Sequence, residues 1–181
     1  MKGIAERVEG TSPMVSARTG EDYLARAVRP LLLSAIDDGR LAIPIHELSK
    51  HVRVTKTKDA RFELVGGRKN FARQPDLNDL RMRGGGSITF AATLRVVADG
   101  LEVEAYNFER TFSPDHRPAF VRFDLNPRGH ANDTRDIRSH LHPGNDNIQL
   151  PAPIFAPHEL LELLLGDFGA DRDRAARAKG L

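Results

Sequence analysis

Residues 87–97, SITFAATLRVV, place Ile88, Phe90, Ala92, Leu94 and Val96 on one side of an extended chain, with mostly polar neighbours on the other. A period of two marks a strand buried on one face, because successive side chains project to opposite sides of a sheet. Asp99-Gly100 follows at once, a pair suited to a two-residue hairpin turn whose central positions need positive φ. Folding the chain there pairs Leu94 with Ala105 and Val96 with Val103 on the apolar side, and sets Arg95 opposite Glu104 on the other. One register satisfies both faces, and that agreement makes the antiparallel hairpin the centre of the expected fold. Past Ala105 the alternation slips to Tyr106 and Phe108, the mark of a bulge or of a strand end buried on both sides.

A third strand is read from Ala119, Val121, Phe123 and Leu125, with Arg122 and Asp124 on its outer face. Gly129, Asn132 and Asp133 interrupt it, and residues 137–142 resume an extended run in which Arg138, His140 and His142 point one way. Leu24, Val28, Leu31, Leu32, Ala35 and Ile36 recur at helical spacing, with Pro30 forcing a kink or a fresh start. A short helix is expected over 44–52, and Leu160, Leu161, Leu164 and Phe168 form the stripe of another. The expectation is an α+β domain over 20–169. Its antiparallel sheet has about four or five strands, a meander over 87–126 plus 137–142, covered on one face by helices near 21–38 and 157–168. Residues 1–19 read as a loosely held arm and 170–181 as a charged tail.

Composition narrows the chemistry. A chain of 181 residues can bury one core unaided, and with no cysteine it has neither disulfides nor thiolate metal sites. Residues 1–15 lack the apolar stretch of a signal peptide and no long apolar run follows, so the expectation is a soluble, cytoplasmic protein with no membrane partner. The net charge of +2 hides a local excess, since residues 50–83 carry ten basic and four acidic side chains. Arg68, Lys69, Arg73, Arg81 and Arg83 are the candidate nucleic-acid contacts in a basic loop segment over 50–86. Gly66, Gly67 and Gly84–Gly86 beside them could bring backbone N–H groups to a phosphate, although no P-loop order is present. A solvated run of lysines and arginines is the plainer account.

Three readings compete for the stretch that holds Arg122, Asp124, His130, Arg138, His140 and His142. In the first, His140 and His142 act as base and acid on a phosphodiester while Arg122 and Arg138 hold the phosphate, with no metal and no cofactor. In the second, His140, His142 and either Asp124 or Asp146 offer nitrogen and oxygen ligands to zinc, manganese or iron. The order H-x-H-x-x-x-D resembles the first cupin motif, but the second cupin motif is missing downstream. In the third, the imidazoles are structural or line a binding surface without turnover.

The order RFDLN (Arg122–Asn126), GH (Gly129, His130), SHLHPG (Ser139–Gly144) and LPAP (Leu150–Pro153) before a leucine-rich helix resembles small bacterial proteins of defence and toxin–antitoxin neighbourhoods, above all the TumE-like toxins. The similarity covers the last third of the chain, and Leu141 separates two histidines that the family pairs more tightly. The resemblance implies a role in bacterial conflict involving nucleic acid or a cognate protein partner. The expectation is therefore a nucleic-acid-associated protein with His140, His142, Arg138 and Arg122 as a ribonuclease-like site; the alternative is a non-catalytic subunit that binds a partner protein.

Overall fold

The computed structural model describes residues 12–67, 79–129 and 137–166. Its strands are β1 (Met14–Val15), β2 (Val52–Lys56), β3 (Arg61–Gly66), β4 (Leu80–Arg81), β5 (Ser87–Val97), β6 (Gly100–Thr111), β7 (Phe120–Leu125), β8 (Ser139–His142) and β9 (Leu150–Pro151). All pair antiparallel in one sheet, in the order β2-β3-β5-β6-β7-β8-β9, with β1 added to β6 and β4 to β5. The α+β class holds, but the sheet has nine strands among the described residues rather than four or five. Within 50–86 the described residues hold β2, β3 and β4, so part of the expected loop segment is sheet. The alternation of β2 and β3 is short and mixed with basic residues, so it is weak until β5 offers an edge to pair with.

The central hairpin forms two residues away from the expected register. Val97 pairs with Gly100, so the turn is made by Ala98 and Asp99, and Leu94 meets Val103 while Val96 meets Leu101. A shift by two keeps every side chain on its own face. The register steps again between Thr93 and Leu94, a bulge that realigns Phe90 with Phe108. Gly86 permits the tight return from β4 into β5, for at φ +77° an added Cβ would lie 2.0 Å from the Thr111 carbonyl oxygen.

One helix begins as Gly20–Tyr23, passes through a π-helical turn at Leu24–Val28 and continues as Arg29–Asp37 (together α1). The π turn answers the proline: Arg29 N–H donates to the Leu24 carbonyl, five residues back, just before Pro30 interrupts the ladder. A 3-10 turn at Ile45–Glu47 leads into α2 (Leu48–His51), and α3 spans Pro157–Leu165. Val28, Leu32 and Ala35 of α1 and Leu160, Leu161, Leu164 and Leu165 of α3 share one core with Phe62, Leu64, Ile88, Phe90, Leu94, Val103, Phe108 and Phe123. Each buried leucine contributes roughly 1.5–3 kcal/mol, which fixes both helices on the apolar face of the sheet. Part of the expected arm is held too, since Met14 and Val15 pair with Glu102 and Leu101.

Arg110 is a charged group inside this layer. It is fully buried, and its Nη1 donates to the carbonyls of Leu164, at 2.7 Å, and Gly166. Carbonyls at a helix C-terminus lack intrahelical partners and carry partial negative charge, so a guanidinium satisfies them on both counts.

Candidate metal centre

The sheet face turned away from the helices is polar, and its polar side chains line up across three strands. On β6 stand Asn107 and Glu109, on β7 their partners Asp124 and Arg122, and on β8 the next partners His140 and His142. Two-residue spacing puts both members of each pair on the same side, and antiparallel register places Asp124 beside His140 and Arg122 beside His142.

Asp124 is the hub. Its Oδ2 lies 3.2 Å from His142 Nε2 and 3.6 Å from His140 Nε2, and accepts a hydrogen bond from Arg122 Nε at 2.9 Å. Its Oδ1 accepts from Asn107 Nδ2. The two imidazoles stand edge to face with centroids 4.9 Å apart, and each is only 2% exposed. Neither Nδ1 has a hydrogen-bond partner. Arg122 also donates from Nη1 to Asp146 Oδ1 at 2.6 Å and lies 3.8 Å from Glu109. The side chains of Arg122 and Asp124 are 14% exposed and that of Asp146 49%, so the cluster opens to solvent on the arginine side.

Burial pushes the proton affinity of His140 below the usual histidine range; Asp124 opposes this, His142 adds to it, the Ile137 carbonyl opposes it and Arg122 adds to it. The ring is therefore held neutral, the form in which imidazole binds metals.

His140, His142 and Arg122 meet as the sequence suggested. Two expectations are corrected. The imidazoles do not stand open to solvent: each is buried, with its Nε2 within 3.6 Å of Asp124 on β7. Arg138 does not join them: its guanidinium donates to the carbonyls of Asn126 and Glu104 and to Ser12 Oγ, tying the N-terminal strand to the sheet, and burial lowers its proton affinity. Arg68, Lys69, Arg73 and His130 lie outside the described residues. Arg81 and Arg83 are exposed around the β4–β5 turn, and Gly84–Gly86 form that turn. The contribution of β6 was missed. The signal was present in Asn107 and Glu109, polar residues alternating with Tyr106, Phe108 and Arg110.

Asp124, His140 and His142 form a donor set for a cation, their ligand atoms all within 4.8 Å of one another. Donors bonded at about 2.0–2.1 Å to a tetrahedral zinc ion stand roughly 3.3–3.4 Å apart, so closing on a cation asks the widest pair to draw together by about an ångström or more. Two imidazole nitrogens and one carboxylate suit zinc, iron, manganese or cobalt better than magnesium or calcium. The residues fit such an ion, which goes beyond the metal-free expectation. Comparison with protein families, with curated proteins and with solved structures gives no match, so the TumE-like resemblance rests on its motifs alone.

Proposed function

We propose that this chain is a metal-dependent protein whose centre is a divalent transition-metal ion held by Asp124, His140 and His142. The observation that carries the reading is the convergence of both Nε2 atoms on Asp124 Oδ2 in a setting where both rings are buried and burial lowers the proton affinity of His140. Buried polar groups persist when they are paired or coordinate a metal, and Asp124 gathers more donors than one carboxylate oxygen satisfies well. Three protein ligands leave further coordination positions for water or an exogenous group, the arrangement of reactive rather than purely structural sites. Arg122 and Asn107 orient the carboxylate from outside the donor set.

Titrating the chelator-treated protein with Zn²⁺ and Co²⁺ tests this. One equivalent should bind, with visible absorption in the cobalt form, and His142→Ala and Asp124→Asn should each lower the affinity by about tenfold or more. Wild-type protein that binds neither ion more tightly than these variants refutes the proposal.

Nucleic-acid association is a second reading, favoured by the exposure of Arg53, Lys56, Lys58, Arg81 and Arg83 within the basic segment. In it the polar-face centre would serve a chain that grips a phosphate backbone through β2, the β2–β3 turn and the β4–β5 turn.

A further inference from the structure

Arg122 presents an unused donor beside the proposed ion. The Nε–H and Nη2 of a guanidinium form the fork that grips two oxygens at once, as Arg61 shows here by donating from Nε and Nη2 to the two carboxylate oxygens of Glu104. In Arg122 the Nε donates to Asp124 and Nη1 to Asp146, while Nη2 makes no hydrogen bond among the described residues. Nη2 is not among the buried, unpartnered atoms, so it is reached by solvent. It shares with Nε the edge that faces Asp124, while Nη1 reaches the half-exposed Asp146 at the margin of the cluster.

We propose that the centre takes an oxyanion, a phosphate or carboxylate group, held jointly by the metal ion and by Nη2 of Arg122. This rests on the metal reading above. A cation with positions left open by three protein donors supplies one anchor and the guanidinium supplies the second, and two anchors of positive charge select an anion over a neutral ligand. The buried imidazoles close the far side of the site, so the anion enters past Arg122 and Asp146 and needs no contact with either ring.

The full-length protein is loaded with Co²⁺ and titrated separately with inorganic phosphate and with acetate, following the visible absorption of the ion. A saturable spectral change with either supports the proposal; phosphate alone assigns phosphoryl groups, acetate alone assigns carboxylates, and both assign oxyanions in general. Arg122→Gln should weaken anion binding about tenfold or more, the range for a hydrogen bond between charged partners. Arg122→Lys, which keeps the charge but loses the fork, should weaken it less. If the Gln protein does not fold or retain Co²⁺, the Lys protein carries the comparison, a several-fold loss supporting the proposal and equal affinity overturning it. Cobalt binding with no response to either anion also overturns it. Failure of wild-type protein to bind Co²⁺ or Zn²⁺ is a different result, which removes the metal reading and this inference with it.

Discussion

Asp124→Asn is the most informative single change, because it keeps the shape of the hub and removes its charge. The carboxylate accepts from Arg122 at 2.9 Å and from Asn107, stands 3.2 Å from His142 Nε2, and is largely buried. An asparagine retains one acceptor and turns an NH₂ toward one of these donors, leaving the partly buried Arg122 short of a counter-charge. Breaking a fully buried ion pair costs about 3–5 kcal/mol. Arg122 still reaches Asp146 at 2.6 Å, so the expected loss is somewhat less, about 2–4 kcal/mol. At about 2–4 °C per kcal/mol for a chain of this size, the melting temperature should fall by roughly 5–15 °C. Thermal and denaturant unfolding with a chelator present measure this without a bound ion, and the denaturant slope should not change. Zn²⁺ should raise the melting temperature of the wild-type protein by mass action and raise that of the variant less. A change within about 0.5 kcal/mol, the range of an ordinary surface substitution, would refute Asp124 as the hub.

Other perturbations probe separate parts of the argument. Arg110→Met removes both caps on the α3 carbonyls and should cost about 2–5 kcal/mol, with faster amide exchange in Pro157–Leu165; unchanged stability would mean that these carbonyls find other partners. Because the folded-state pKa of His140 is lowered from 6.5, the unfolded chain takes up that proton first. Its contribution to stability is thus fully present above pH about 6.5 and is lost as pH falls toward the depressed value. Denaturation midpoints between pH 8 and 5 should show this decline, His140→Gln should flatten it, and stability that rises as pH falls would contradict the assignment. For the nucleic-acid reading, the logarithm of oligonucleotide affinity should fall linearly with that of salt concentration. Arg81→Ala with Arg83→Ala should reduce the slope by up to about 2, and salt-independent binding would count against it.

The local sequence settled which side of each strand a residue occupies. Period-two alternation put Phe90, Phe108 and Phe123 on one face and Arg122 and Asp124 on the other, and it set His140 and His142 on a common side, because pleat geometry is local and tolerates a hairpin register shifted by two. The helical stripes of α1 and α3 were legible for the same reason. Which strands lie side by side was decided only in three dimensions. The meeting of Asp124 with both imidazoles depends on β8 docking against β7, a non-local pairing that no spacing within SHLHPG encodes. The direction of Arg138 depends on Ser12, more than a hundred residues away, whose hydroxyl accepts from its guanidinium. Depth was equally a product of assembly: the same H-x-H that can line a surface becomes a pair of buried rings once a continuous sheet places them beside a carboxylate.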